Sequence, residues 1–191
     1  MIIGITGRMC SGKGVVKDYF SNKGFRYTTF SDVVRAEAIK RGIELKREYL
    51  QDLGNELREQ EGGEVWAKKI IQKMENGKNY VVDGIRNPGE IDELKKAQNI
   101  GKFFLISVDA SRERRFDLMV KRAKESDPKN WEDFVRLDNR DFGIGEPDWG
   151  QQSQRCMEMA DFKIENNGDV EEFMKRINQV YEKIQISETV D

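Results

Sequence analysis

Short apolar runs rich in β-branched residues recur along the chain and are separated by long polar stretches. They lie at residues 2–6, 25–30, 80–83, 102–108 and 162–164. Continuous apolar runs of this length are typical of strands that are buried on both faces of a sheet. Helical patterns lie between them. The alternation therefore predicts an α/β fold in three layers, a five-stranded parallel sheet with helices on both faces.

Two of the connections are long, charged and helical in pattern. The first runs from residue 32 to 74 and is broken at Gly42 and at Gly62-Gly63, and the second, at about 112–140, is interrupted near Asp127-Pro128. An amphipathic pattern at 170–186 predicts a closing helix. No repeat or flexible linker divides the 191 residues. We therefore expect a single domain, 1–191, with two helical excursions, at about 32–75 and about 112–146, placed to cover a site.

Charge and composition exclude several classes of function. The chain has 33 basic and 35 acidic residues, a net charge of −2, so it carries no basic field for nucleic acid or an anionic membrane. No apolar stretch approaches the roughly 20 residues of a membrane span, and no signal-peptide pattern precedes the first strand. The absence of histidine excludes Ser-His and Cys-His catalysis, and the two cysteines form no C-x-x-C pair. We expect a cytoplasmic protein, either a monomer or a homodimer.

The first apolar run leads directly into a glycine-rich loop. Residues 7–13, Gly-Arg-Met-Cys-Ser-Gly-Lys, match the pattern G-x-x-x-x-G-K, and a helical pattern follows from Val15. Between a strand and a helix, such a loop directs backbone N–H groups and the helix N-terminus at phosphate oxygens, and Lys13 would reach the β- and γ-phosphates. The predicted nucleotide-binding residues are Gly7, Arg8, Met9, Cys10, Ser11, Gly12, Lys13, Gly14 and Val15. The alternative is a turn that only joins the strand to the helix.

The loop departs from the usual phosphate-binding pattern at one position. The Ser or Thr that normally follows the lysine and binds Mg²⁺ is replaced by Gly14, and Val15 has no hydroxyl either. Asp83 ends the third apolar run and would lie beside the loop, at the carboxyl edge of the sheet. Because a carboxylate there can hold Mg²⁺ directly or through water, we predict an ATP and Mg²⁺ site with Asp83 as its metal residue. The alternative is that Asp83 caps the following turn.

Arginines follow two of the predicted strand ends. Arg35 lies one turn into the segment that begins with Ser31-Asp32, and Arg86 follows shortly after Asp83. A guanidinium can bind a phosphate with two parallel hydrogen bonds. We therefore predict that Asp32, Arg35 and Arg86 bind a second, phosphate-bearing substrate. A helix cap for Asp32 and solvated ion pairs for the arginines are the alternatives.

The second excursion is dense in arginine. Arg112, Arg115 and Arg122 share one helix face by their spacing, and Arg136 and Arg140 form an i, i+4 pair. Phosphoryl transfer requires fixed positive charge around the migrating group, and one arginine can contribute about 10³–10⁵ in rate. We predict a mobile lid that closes over the phosphates, with Arg122 and Arg140 as its catalytic arginines. A solvated, salt-bridged face is the alternative.

These segments together resemble the nucleoside monophosphate kinases, from the first strand almost to the last helix. Residues 12–14, Gly-Lys-Gly, are similar to the adenylate kinase loop, although that family then has a threonine where this chain has Val15. Residues 31–35 are similar to the family's threonine-glycine-aspartate…arginine segment, whose arginine holds the acceptor monophosphate. Residues 83–86, Asp-Gly-Ile-Arg, are similar to its aspartate-glycine-phenylalanine-proline-arginine, with one residue fewer before the arginine.

The nearest resemblance is to an adenylate-kinase-like branch that is common in archaea. It rests on the loop, on Asp-Gly-Ile-Arg, on the segment at 127–134 and on Gly-Ile-Gly-Glu at 143–146. Residues 50–56 resemble deoxynucleoside monophosphate kinases of phages, and residues 160–168 resemble the end of dephospho-coenzyme A kinases, where this turn lies near the adenine.

The motifs and the resemblance lead to one expected function. We expect an ATP-dependent kinase that uses Mg²⁺ and acts on a nucleoside or deoxynucleoside monophosphate, with acceptor binding in the region at about 32–75 and the lid at about 112–146. One alternative is a dephospho-coenzyme A kinase, whose hydroxyl acceptor needs a carboxylate base, for which Asp32 is the candidate. A nucleotide-binding switch or an ATPase without an acceptor is the other.

Overall fold

The computed structural model describes residues 1–123 and 127–189. All its strands are parallel and form one sheet in the order β2-β3-β1-β4-β5. The strands are β1 (Ile2–Gly7), β2 (Arg26–Thr29), β3 (Tyr80–Ile85), β4 (Phe103–Asp109) and β5 (Phe162–Glu165). The five predicted strands and the parallel sheet are thus confirmed.

Helices connect the strands and follow the last one. They are α1 (Lys13–Asn22), α2 (Phe30–Lys40), α3 (Arg47–Glu61), α4 (Val65–Ile71), α5 (Pro88–Lys96), α6 (Arg112–Arg122), α7 (Trp131–Phe142), α8 (Ser153–Glu158) and α9 (Val170–Thr189). The first predicted excursion corresponds to α2, α3 and α4, and the second to α6 and α7. The second excursion includes residues 124–126, which lie outside the described residues.

The sheet separates two hydrophobic clusters, because successive strand residues point to opposite faces. Ile2 and Val82 belong to the cluster under α2, α3, α4, α5 and α8, whereas Ile3 and Val81 pack with residues of α1 and α9. Leu53 and Leu57, which are four residues apart on α3, are both buried in the first cluster. Helices therefore cover both faces, and the carboxyl edge of the sheet is left for the loops.

Glycine ends both long helices of the first excursion. Gly42 follows α2 with φ +68° and Gly62 caps α3 with φ +99°, backbone conformations that disfavour a residue with a β-carbon. In the second excursion, the side chain of Asn130 caps α7 by accepting a hydrogen bond from the backbone N–H of Asp133 at 2.8 Å. The predicted interruption near Asp127-Pro128 is confirmed, since these residues lie between α6 and α7.

A third, smaller cluster joins the second excursion to the glycine-rich loop. Met9 of the loop is buried with Met119 of α6 and with Phe134 and Leu137 of α7. These four side chains fix both helices above the carboxyl end of β1. The fold thus brings the loop and both excursions to one edge of the sheet.

Candidate active site

The glycine-rich loop runs from the end of β1 to the start of α1. A β-carbon at Gly7 would lie 2.0 Å from the carbonyl oxygen of Val108, so only glycine fits beside β4. Gly12 has φ +107° and precedes α1 without a side-chain cap, which leaves the first N–H groups of the helix available. The side chain of Asn166 donates a hydrogen bond to the carbonyl of Ser11 at 3.0 Å and holds the loop from the β5 side. The loop therefore has the geometry of an anion-binding helix N-terminus.

Lys13 is the first residue of α1 and folds back over the loop. Its Nζ donates hydrogen bonds to the carbonyls of Gly7 at 2.8 Å and Arg8 at 2.7 Å. Burial lowers the pKa of Lys13 to about 8, although the Asp83 carboxylate acts in the opposite direction. The ammonium thus lies where a phosphate held by the loop would meet it, and its charge is incompletely compensated.

Asp83 lies on β3, between β1 and β2. It pairs in register with Ile5 on one side and with Thr29 on the other. Its Oδ1 is buried and accepts no hydrogen bond from any described residue. Burial raises the pKa of Asp83, whereas Lys13 and Arg86 lower it. A buried carboxylate oxygen without a donor fits a hydrated cation or one of its ligands.

A cavity of about 750 Å³ opens next to Lys13 and Asp83, between the loop, α2 and α3. Its volume lies within the range of small-molecule sites. Besides other residues of the loop, six of the predicted site residues line the cavity: Lys13, Asp32, Arg35, Asp83, Arg86 and Arg122. The residues predicted separately as nucleotide-binding, acceptor-binding and metal-binding therefore share one cavity.

Arg86 is held at the cavity by a carboxylate that the sequence did not single out. Asp141 of α7 accepts hydrogen bonds from Arg86, from Arg47 at 2.9 Å and from the side-chain amide of Gln51 at 2.7 Å. Burial acts to raise the pKa of Asp141, but Arg86 and Arg47 outweigh it and hold the pKa below its usual range. The Nε of Arg47 is buried and has no acceptor among the described residues. The cluster therefore offers an unused guanidinium donor at the cavity.

Arg35 and Asp32 occupy the α2 side of the same cavity. Arg35 donates from Nε to the hydroxyl of Ser31 at 3.4 Å, and no carboxylate in the described part of the chain pairs with it. Asp32 is exposed, in the first turn of α2. Arg35 is thus a cation available to a ligand, and Asp32 is a carboxylate open to the cavity.

The two predicted lid arginines have different positions. Arg122 lines the cavity and forms a bidentate ion pair with Asp127, at 2.5 and 3.0 Å. Arg140 is not part of the lining and binds Asp52 and Glu146, each at 2.8 Å. The structure therefore brings Arg122, but not Arg140, together with Lys13.

Of the other arginines of the second excursion, Arg115 has a structural position. It is 1% exposed and binds both oxygens of Asp138, at 2.5 and 3.0 Å, as well as the carbonyl of Met9 at 3.2 Å. Arg8 of the loop binds the same carboxylate at 2.5 Å, and its guanidinium lies 3.9 Å from the ring centre of Phe142. One buried aspartate of α7 thus joins the loop to α6.

The cavity residues that were not predicted from the sequence include the group around Arg86: Arg47, Gln51 and Asp141. Arg47 and Gln51 are four residues apart on α3, and this i, i+4 spacing was an available signal. Asp141 gave no such signal in the sequence, because its hydrogen-bond partners are 94, 90 and 55 residues away along the chain.

Within the described ranges, no group of three or more acidic or cysteine side chains could hold a metal ion unaided. No helix of residues 1–123 and 127–189 is long and apolar enough to cross a membrane.

Comparison with known proteins places the chain in a family. Residues 3–140 match a family model described as an AAA domain. A UPF0200 protein of Thermococcus gammatolerans is 32% identical over 190 residues, covering 96% of this chain and 95% of the relative. A UPF0200/UPF0201 protein of Archaeoglobus fulgidus is 36% identical over 188 residues, covering 96% of this chain but 55% of the relative, so the chain spans about half of that protein.

Solved structures with a similar fold include small-molecule kinases. A shikimate kinase from Aquifex aeolicus superposes with a TM-score of 0.51 and 16% identity, covering 97% of this chain and 99% of that chain. A gluconokinase from Sinorhizobium meliloti gives a TM-score of 0.56 and 13% identity, with 97% and 95% covered. At these identities the likeness shows the fold, which is that of the P-loop kinases.

Proposed function

This chain belongs to the AAA-domain family and to the UPF0200 proteins, and we propose that it is an ATP-dependent phosphotransferase acting on a nucleoside or deoxynucleoside monophosphate. One observation carries the proposal. A single cavity contains the P-loop lysine, Lys13, and a separate set of arginines at positions 35, 47 and 86. A protein that only binds or hydrolyses a nucleotide has no need of a second cationic set.

The chain's own residues would carry the reaction by position and charge. The loop N–H groups and Lys13 would hold the β- and γ-phosphates, and Arg35, Arg47 and Arg86 would hold the acceptor phosphate. An acceptor phosphate oxygen is already ionised near neutral pH, so neither a histidine base nor a covalent enzyme intermediate is required. Fixed donors around the migrating group supply the stabilisation that phosphoryl transfer needs.

A metal ion would be held chiefly from one side of this site. Gly14 and Val15 provide no hydroxyl, and Asp83 provides the buried oxygen that accepts no hydrogen bond from a described residue. Bound Mg²⁺ would supply positive charge that stabilises the phosphates during transfer. We infer that Asp83 would hold it, directly or through water.

Dephospho-coenzyme A kinase activity is the second candidate. The exposed carboxylate of Asp32 in the cavity lining supports it, because transfer to a hydroxyl benefits from a base at that place. The two candidates make opposite predictions for Asp32→Asn. Transfer to a hydroxyl would fall by about 10²–10⁴-fold, whereas transfer to a monophosphate needs no base and would change little.

A coupled assay of ADP release tests the proposal. The acceptors are ribo- and deoxynucleoside monophosphates and dephospho-coenzyme A, and a reaction without acceptor measures hydrolysis. We expect at least one monophosphate to raise ADP release well above that background. We expect Lys13→Ala to abolish the activity, and Arg86→Ala to raise the KM of the acceptor much more than that of ATP.

Arg26→Ala is the matched control for the arginine variant. Arg26 begins β2 at the opposite edge of the sheet, where it pairs with Glu75. The Arg26→Ala variant should leave the KM of the acceptor and the KM of ATP unchanged. If no acceptor raises ADP release, the kinase proposal is wrong, and if Arg86→Ala affects both KM values equally, Arg86 does not bind the acceptor.

A further inference from the structure

Two buried glutamines in the cavity have side-chain carbonyl oxygens without a donor. Gln51 of α3 is 5% exposed and Gln151, before α8, is 3% exposed, and both line the cavity. The Oε1 of each is buried and accepts no hydrogen bond from any residue in the described ranges. Buried acceptors are nearly always satisfied in folded proteins, so two unsatisfied ones on residues that line one cavity point to a ligand that donates to them.

The orientation of Gln51 is fixed by its neighbour. Its Nε2 donates to Oδ1 of Asp141 at 2.7 Å, and Arg86 and Arg47 keep that carboxylate charged. A charged carboxylate can only accept a hydrogen bond, so the amide must present its NH₂ group to Asp141. Its carbonyl oxygen is therefore the end left for a ligand, and this end can only accept.

Both glutamines are linked to the arginine proposed to bind the acceptor phosphate. Gln51 reaches Arg86 through Asp141, and the residue next to Gln151, Gln152, donates its backbone N–H to the carbonyl of Arg86 at 2.6 Å. Both glutamines are thus linked to the residue proposed to bind the phosphate of the second substrate. The rest of that substrate must extend from Arg86 into the same cavity.

The wall beside Gln51 leaves room for a flat group. Leu50 and Val34 line the cavity there, and Gly54 lies three residues further along α3. A glycine inside a helix costs about 1 kcal/mol relative to alanine. A β-carbon at Gly54 would only touch Arg58, at an ordinary 3.6 Å, so protein packing does not require the glycine. A cavity lined by apolar side chains and by residues with unpaired acceptor oxygens suits the ring of a nucleobase.

We propose that Gln51 and Gln151 select an acceptor monophosphate whose base carries an amino group, and disfavour uracil and thymine. The inference rests on the proposed function and deepens it. An amino group presents two N–H donors, either of which can donate to a glutamine side-chain oxygen. Uracil and thymine have a carbonyl oxygen in that position, which would face the Gln51 oxygen without a proton between them.

Matched pairs of ligands test the inference by calorimetric binding without ATP. Cytidine and uridine 5′-monophosphates differ in an amino group against a carbonyl, and adenosine and purine riboside 5′-monophosphates differ only in the 6-amino group. We expect the amino member of at least one pair to bind about 10–100-fold more tightly. The preference should fall towards one in Gln51→Met and Gln151→Met, which keep the side-chain length and remove the acceptor.

Gln154→Met is the matched control, because Gln154 is exposed on α8 and pairs with Glu158. A merely structural effect of the cavity variants would weaken both members of a pair equally and leave the preference unchanged, which would overturn the inference. So would equal binding of both members by the unaltered protein. Deoxycytidine monophosphate tests whether the glutamine oxygens bind the sugar instead. If removing the 2′-hydroxyl weakens binding more than replacing the amino group does, these oxygens bind the sugar and the inference is overturned.

The outcome for the proposed function remains separate. If monophosphates bind and are phosphorylated without an amino preference, only the inference fails. If no monophosphate binds, the proposed function fails and the inference fails with it.

Discussion

The lowered pKa of Lys13 makes nucleotide affinity depend on pH in a predictable direction. Only the charged ammonium can hold a phosphate, and burial lowers its pKa from an ordinary 10.5 to about 8 in the unliganded protein. Affinity for the nucleotide should therefore fall as the pH rises through 8, a range in which an exposed lysine stays fully charged.

The size of the effect follows from the fraction of protein in the charged form. With a pKa of about 8, about nine-tenths of Lys13 is charged at pH 7 and about one-tenth at pH 9. If only that form binds, the dissociation constant rises by about tenfold over these two units. Two neighbouring groups titrate above this range, because burial raises the pKa of the Cys10 thiol above its ordinary value and raises that of Tyr27 to about 12.

Calorimetric titration with a non-hydrolysable ATP analogue, at pH values from 7 to 9, measures the effect. Lys13→Arg is the control, since a guanidinium keeps its charge throughout and its weaker binding should not depend on pH. Unfolding does not explain a loss of affinity. In the range from about 8 to 10.5 the unfolded chain binds the extra proton, so the contribution of Lys13 to the free energy of unfolding increases with pH.

Two results would refute this reasoning. Affinity that stays constant from pH 7 to 9 would mean that Lys13 is not partly neutral in the free protein. A decrease of the same size in Lys13→Arg would mean that another group titrates. Either result would remove the basis for treating the Lys13 ammonium as incompletely compensated.

Three further predictions concern stability and the lid arginines. Asp138→Ala leaves the guanidinium of Arg115 buried without its partner, so we expect the free energy of unfolding in urea to fall by about 3–5 kcal/mol. Asn87→Ala removes the capping box of α5 and two hydrogen bonds to carbonyls of the loop before α8. We expect a loss of about 1–3 kcal/mol in the same measurement, and a smaller loss would mean that water replaces these bonds. Arg122→Ala should lower kcat by about 10³-fold or more, whereas Arg140→Ala should leave kcat nearly unchanged. The reverse result would support the catalytic role predicted for Arg140 from the sequence.

The fold was predictable because its signals are local. Each strand is a short apolar run, and the breaks at Gly42 and Gly62 coincide with backbone conformations that glycine adopts most readily. The order of the strands was not predicted, because it depends on which strands pair across the sheet. The six residues of α8 are too few to show a helical period.

The candidate site was most predictable where a loop motif or a strand end positions its residues. Lys13 and Asp83 follow from a loop motif and a strand end, and both lie at the cavity. The arginines of the second excursion show the limit of this approach, since a charged helix face has the same pattern whether it is solvated or buried. Arg115 belonged to such a face in the sequence, but it is buried against Asp138.

Helix α7 connects the two ends of the candidate site. Asp138 and Asp141 are three residues apart and lie on one face of the helix. The first binds Arg8 of the glycine-rich loop, and the second binds Arg86 and Arg47 at the proposed acceptor side. Both carboxylates are about 1% exposed, so these ion pairs can form only when α7 is packed in place. The geometry of the nucleotide side and that of the acceptor side therefore depend on the same helix, and a change that displaces α7 should affect the KM of both substrates together.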